Sequence, residues 1–422
     1  MRISSLQIFG IATKSISEAN QEIAKTQSQL STGQRVLTPS DDPVAAVKMM
    51  EIDQNLARLN QYGKNIDIAE NNLSLEESTL DSVLNLIQRV REIAVQAGNT
   101  ATYSSSEYKA LAGEVDSRLN ELQNLMNTQN AAGDYIFAGY KGGDKPFEGD
   151  ALTGFRYLGT DGQVKIKISE GSSVATSDSG KAVFVEIPAA QKTITTMANT
   201  ANRADPPANI SVGQIVDQAA YDDFYPEDMV ITFNQDTAVV PAGKNFTITE
   251  RSTGNVIGNY QNYPYNAGEE IVVNGVSVRI NGSPASATAT QPGDKFFINS
   301  SPNQDILTTL ARFSDAMKRV DDGSQQSKEY VAEIVADTLN NLNNSQVNIL
   351  ETTSSLGARF NTLDSTRELH LDTELVSREI LSDLRDLDYA EAASRLSGQL
   401  LILEAAQATF TRVSQLSLFS RL

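Results

Sequence analysis

Proline divides this chain. Its twelve prolines fall at 39, 43, 146, 188, 206, 207, 226, 241, 264, 284, 292 and 302, which leaves 44–145 and everything after 302 free of them. A proline inside a helix costs about 3 kcal/mol, because it removes a backbone donor and clashes with the preceding turn. Two arms open to long helices therefore flank a proline-bearing centre. The 422 residues leave room for more than one domain.

The arms carry helical periodicity. Phe9, Ile16, Ile23, Leu30 and Leu37 recur every seven residues, with Ala12, Ala19 and Thr26 on the neighbouring row. Leu37 lies beyond Gly33, so the first helix is expected to end before it. From Val44 the apolar steps alternate three and four, through Ile52, Leu56, Leu59, Gly63, Ile66, Ala69, Leu73 and on to Ala97. A helix over 44–97 would be roughly 80 Å long at 1.5 Å per residue. The segment 98–104 breaks it, and a third helix is expected through Leu111, Val115, Leu119, Leu122 and Met126.

The C-terminal arm mirrors this. Val335, Leu342, Ile349, Leu356, Leu363 and His370 fall at sevens, as do Tyr389, Leu396, Leu403 and Phe410, with Ala392, Ala406 and Val413 alongside. Helices this narrow make little core of their own, so their stripes must pack on one another or on other chains.

Between the arms the pattern changes. Short β-branched runs at 164–168, 183–187, 246–249, 271–273 and 276–280 alternate with turn signals, among them Asp161-Gly162, Asn274-Gly275 and Asn281-Gly282. The fold class expected is mainly α with an inserted all-β domain. The expected division is a coiled-coil-like terminal domain (1–43 with 375–422), a helical rod (44–140 with 303–374) and a β-rich domain (141–302).

The run Ser31–Ala46 is a helix stop, a turn and a helix start. Gly33 can take positive φ and close a helix. Pro39 pushes Thr38 out of the α region. Ser40, Asp41 and Asp42 can cap a new helix, and Pro43 fits its first position.

Composition removes several function classes. Without cysteine there is no disulfide and no thiolate metal site. A net charge of −19 disfavours nucleic acid and anionic membrane surfaces. No apolar run approaches a membrane span, and Met1–Gly10 lacks the apolar core of a secretory signal. The single histidine, His370, continues an apolar stripe and reads as a half-buried helix residue. Gly180-Lys181 is followed by Ala182, so it is no P-loop. Asp383, Asp386 and Asp388 lack the spacing of a calcium loop and read as solvated helix residues. No catalytic, metal or cofactor residue is assigned, and no enzyme is expected.

Taken whole, Ser31–Ala46 resembles the signature of the bacterial flagellin family, above all at Gly33, Arg35, Pro39, Ser40, Asp41, Asp42 and Pro43. Gln88–Gln96, with Arg89, Val90, Arg91 and Glu92, resembles the family's core-helix motif, and Leu384–Phe419 its terminal assembly helix. Tyr135–Lys141, followed by Pro146-Phe147, is similar to the members that form the hook–filament junction.

The resemblance covers roughly 1–140 and 303–422 and stops at the centre. It implies a secreted, extracellular structural subunit, exported by the type III route without a cleaved signal. Implied partners are copies of itself in a ring, the first hook-associated protein, flagellin and a cytosolic export chaperone. The residues expected to bind them are Phe9, Ile16, Ile23, Leu30, Tyr389, Leu396, Leu400, Leu403, Phe410 and Val413, with Leu396, Leu400, Leu403 and Phe410 forming the chaperone-covered face. Two alternatives stand beside the junction reading. One is a filament flagellin. The other is an adhesin that binds through an exposed, tyrosine-rich β insert (Tyr221, Tyr225, Tyr260, Tyr263 and Tyr265).

Overall fold

The computed structural model describes residues 5–99, 103–321 and 324–419. Positions 100–102 of the expected helix break and 1–4 of the N-terminal segment lie outside the described residues. Seven α-helices are found among the described residues: α1 (Ser5–Thr32), α2 (Pro43–Ala97), α3 (Ser105–Met126), α4 (Gln218–Phe224), α5 (Ile306–Lys318), α6 (Gln325–Arg385) and α7 (Tyr389–Phe419). Two compact units form, 1–66 with 364–422 and 67–363; α2 and α6 contribute residues to both. None of the described helices is long and apolar enough to cross a membrane.

The helical stripes are where the spacing puts them. Val335, Leu342, Ile349, Leu356 and Leu363 are all buried on α6. On α2, Ala69, Leu73, Leu80, Ile87, Val90, Ala94 and Ala97 are buried as well. The first turn of α3 is held by a capping box, in which Ser104 N–H donates to Glu107 Oε2 at 2.7 Å. Its buried face, Val115, Leu119, Leu122 and Met126, belongs to a helix packed on α5.

The strands between the arms are antiparallel throughout. Two small ladders come first, β1 (Phe147–Glu148) with β2 (Arg156–Tyr157) and β3 (Lys165–Lys167) with β4 (Ser173–Ala175). Then follow β5 (Pro188–Ala198), β6 (Asn209–Ile210), β7 (Gln214–Ile215), β8 (Met229–Phe233), β9 (Asn245–Glu250), β10 (Tyr263–Pro264), β11 (Glu270–Val273), β12 (Val276–Asn281) and β13 (Lys295–Asn303). One sheet has the order β10-β9-β8-β13-β5; a second has β11-β12-β6, with β7 also pairing β12. Ile194, Phe233, Phe246, Ile248, Val276, Ile280 and Phe296 belong to one buried cluster drawn from both sheets.

Several expectations for the centre need correction. Val183–Ile187, expected to be a strand, is not one, and Lys181–Val185 forms a π-helical turn instead. Its carbonyls have no ladder partner; those of Ala182 and Val183 instead accept from the Asn348 amide at 2.9 and 2.8 Å. The turn also buries the adjacent Val183 and Phe184 together, which a strand would send to opposite faces. Asn274-Gly275 does close the β11–β12 hairpin, with φ of +46° and +77°. Asp161-Gly162 and Asn281-Gly282 close none. The strands before and after Asp161 pair with β1 and β4, and β13 leaves β12 to join β5 and β8. The β-rich centre also holds one short helix, α4.

Arg312 of α5 ties helix to sheet. It is buried, and its Nε donates to Gly213 O (2.9 Å), Nη1 to Thr193 Oγ1 and Gln304 Oε1 (both 2.6 Å), and Nη2 to Ile194 O (2.9 Å). Arg312→Met would strand these acceptors in a dry site. We expect unit 67–363 to lose about 3 kcal/mol or more of stability, read as a lower urea midpoint with an unchanged slope.

Candidate assembly interface

The terminal unit is built on one junction between distant parts of the chain. α6 ends at Arg385, and the last carbonyls of any helix lack partners within it. Here the N-terminal turn supplies them. Arg35 N–H donates to Arg385 O at 2.7 Å, and its guanidinium donates to Leu384 O through Nη2 (3.0 Å) and Nε (3.3 Å). Leu387 N–H returns a bond to Gly33 O at 2.9 Å. Gln29, buried on α1, donates from Nε2 to Arg35 O at 2.6 Å. A positive side chain at a helix C-terminus also meets the negative end of its dipole.

Gly33 has φ +70°, and a Cβ there would lie 2.8 Å from the Tyr389 hydroxyl. Asp42 Oδ1 accepts from Ala45 N–H at 3.0 Å and so caps α2, with Pro43 as its first residue. Asp41 Oδ2 accepts from Thr38 N–H (2.9 Å) and Leu37 N–H (3.2 Å), and Oδ1 meets Lys25 Nζ at 2.8 Å. The Lys25 bond comes first in holding the Asp41 carboxyl down at about 2. Ser40 Oγ lies 3.0 Å from Thr38 Oγ1, and Pro39 is exposed.

Beyond the junction α1 packs against α7. Ile23 is buried and Ile16 and Leu30 are half-buried on α1; Leu396, Leu403 and Phe410 are half-buried on α7. The stripe on α7 runs Ala392, Leu396, Gln399, Leu403, Ala406, Phe410, in steps of four and three. Leu400 does not share it. It is exposed, as are Leu401 and Ile402 beside it, so the expected single face of Leu396, Leu400, Leu403 and Phe410 is divided. Tyr389 is 57% exposed although it closes over Gly33. The side chains of Phe9 and Val413 lie outside the described ones. His370 is buried and stacks on Tyr62, with ring centroids 5.7 Å apart.

The core-helix motif lies in the other unit. Val90 is buried there, Arg91 half-buried and Glu92 exposed. Arg89 bridges α2 to α3 by donating to Glu114 Oε1 from Nε at 2.8 Å, and it also meets Glu92 Oε2 at 2.9 Å. Of the five tyrosines behind the adhesin alternative, Tyr221 is fully buried in the sheet core and Tyr225, Tyr260 and Tyr265 pack against it. Only Tyr263 among them is exposed, because the rest fill the space between the sheets.

Two functional residues escaped sequence reasoning. Asp388 is not merely solvated; its Oδ1 accepts from Ala390 and Glu391 N–H and caps α7. Asp388 with Glu391 three residues on is a capping-box spacing that could have shown it. Glu76 is fully buried within the α2 stripe, on the step from Leu73 to Leu80.

Residues 3–142 match the bacterial flagellin N-terminal helical region. The chain thus carries a flagellin-type helical arm. Among known proteins it is similar to flagellar hook-associated protein 3: 35% identical over 187 residues to that of Salmonella typhimurium and 34% to that of Escherichia coli K12. Each alignment spans 44% of this chain and 58% of the relative. The crystal structure of flagellar hook-associated protein 3 from Legionella pneumophila superposes with a TM-score of 0.51 at 27% identity, over 79% of this chain and 98% of that one. That likeness agrees with the mainly helical fold and its antiparallel centre.

Two predictions follow from the junction's geometry. Gly33→Ala should destabilise the terminal unit by about 1–2 kcal/mol for the left-handed backbone alone, plus the collision with Tyr389. Tyr389→Phe should recover only the collision, so the two substitutions should be non-additive in thermal unfolding. For Asp41, a carboxyl held low in the folded state contributes stability above its ordinary value near 4, lost as pH falls through about 2. Asp41→Asn should therefore flatten the fall in helicity of the terminal unit between about pH 4 and 2.

Proposed function

We propose that this chain is a non-enzymatic structural subunit of the bacterial flagellum that joins the hook to the filament outside the cell. The observation that carries this reading is the apolar surface of the terminal unit. After α1 packs on α7, Val44, Val47 and Met50 of α2, Leu371 and Leu375 of α6 and Leu401 of α7 are still more than half exposed. A monomer gains nothing from such residues, whereas an assembly buries them at about 25 cal/mol per Å². The similarity to flagellar hook-associated protein 3 supports the junction over a filament role.

On this reading the terminal segments 1–43 and 375–422 form the assembly layer, 44–140 with 303–374 a helical rod, and 141–302 an outward β-rich part. Copies pack side by side through Phe9, Ile16, Ile23, Leu30, Tyr389, Leu396, Leu400, Leu403, Phe410 and Val413 and their exposed neighbours. The same surface meets the first hook-associated protein below and flagellin above. Before export, a cytosolic chaperone covers α7.

Electron microscopy of a strain lacking the gene tests the role. Hooks without filaments, with flagellin shed into the medium, are expected; intact filaments would refute it. Leu401→Asp tests the surface. Leu401 is 68% exposed, so the monomer should keep its fold and helicity. Chaperone pull-down and motility should nonetheless both fall by at least about tenfold, the equivalent of 1.4 kcal/mol.

A further inference from the structure

Glu76 of α2 is the least explained charge in unit 67–363. Its side chain is fully buried. Oε1 accepts from the backbone N–H of Asp178 at 3.1 Å, and Oε2 is buried with no hydrogen-bond partner among the described residues. The charged groups facing it are Asp178, on the segment after β4, and Arg359, on α6. Arg359 is already committed: its Nη1 and Nη2 donate to Asp178 Oδ2 and Oδ1 at 2.9 and 2.8 Å. Gln163 Nε2 also donates to Asp178 Oδ1. The site therefore holds two carboxyl groups and one cation, and the cation serves Asp178.

Asp178 begins a strap laid along α6. Asn348 Nδ2 donates to the carbonyls of Ala182 and Val183, Asn344 Nδ2 donates to Pro188 O at 2.8 Å, and Asn341 Oδ1 accepts from Ala190 N–H at 2.8 Å. These amides do not titrate. The strap is also pinned by Lys181 Nζ to Asp161 Oδ2 at 2.9 Å, and its Asp178 end is hydrogen-bonded to α2 through Glu76.

We propose that Glu76, Asp178 and Arg359 form a proton-gated latch that fastens the 177–190 strap to α2 and α6, closed while Glu76 carries its proton. Burial, and then the Asp178 charge, push the Glu76 carboxyl up to about 8. Ionised in place, Glu76 would set a second negative charge beside Asp178 in a site with no spare cation and no water-facing oxygen. Opening lets the carboxyl return to its ordinary value near 4.5 and release its proton. The sign follows: closure is strongest below about pH 4.5, weakens as pH rises towards about 8, and levels off above it. The latch does not depend on the assembly reading.

Hydrogen exchange from pH 5 to 9.5, corrected for the intrinsic chemical rate, tests this in the full chain. Protection of amides 179–186 should fall by as much as about tenfold per pH unit up to about pH 8 and then level. Amides of β8 and β13 serve as the pH-insensitive control. Glu76→Gln keeps the shape without the charge, and its 179–186 profile should be flat. A flat wild-type profile, or an equal slope in Glu76→Gln, would overturn the latch. Should Glu76→Gln not fold, carboxyl-carbon NMR of the wild type decides: a Glu76 midpoint near 8 supports the latch, and one below 6 ends it.

Discussion

The terminal unit depends on one interaction, the capping of α6 by a turn that lies 349 residues earlier in the chain. A helix end leaves carbonyls that water must otherwise satisfy. By giving Leu384 and Arg385 their donors from Arg35, the N-terminal turn fixes where α6 stops and where α7 can begin. Asp388 then caps α7, as Asp42 caps α2. Two helix starts and two helix stops meet at one place, which sets α1 beside α7. The apolar stripes of α1 and α7 are covered by each other, and that packing adds to what helix propensity alone supplies.

Polar side chains do much of the holding in this protein. Gln29 reaches the turn, Asn341, Asn344 and Asn348 reach the strap, and Arg312 reaches four backbone or side-chain acceptors around β5. Gln29 and Asn348 serve backbone that has left helix and strand, while the others tie the edge and face of β5 to the helices. A buried peptide carbonyl without a donor costs about as much as a lost hydrogen bond, so such segments survive only where a side chain completes them. The π-helical turn at Lys181–Val185 is the clearest instance.

The sheet core and the paired terminal helices differ in how far they close over their apolar residues. The sheet core is closed, with Phe233, Phe246 and Phe296 fully buried. The terminal unit is left open, with apolar residues on three helices facing solvent. The difference has a geometric cause. Two sheets can enclose a core from both sides, while a pair of helices buries only the stripe along their contact.

Periodicity and proline placement determined the long helices of the arms, though not α4 or α5, because a stripe of step three and four and the cost of an internal proline act locally. The bounds of α2, the end of α1 at Gly33, the buried α6 stripe and the Asn274-Gly275 hairpin all follow from nearest neighbours. Tertiary structure decided the rest. Whether Val183–Ile187 becomes a strand depends on a partner strand being there, and none is. Whether Leu400 is covered along with Leu396 depends on which side of α7 meets α1. The partners of Arg35 lie at the far end of the chain, so the motif announces a turn but not what the turn caps. Glu76 is the sharpest case: its spacing places it on the apolar stripe, yet only the fold brings the Asp178 N–H to its Oε1 and the Asp178 carboxylate beside it.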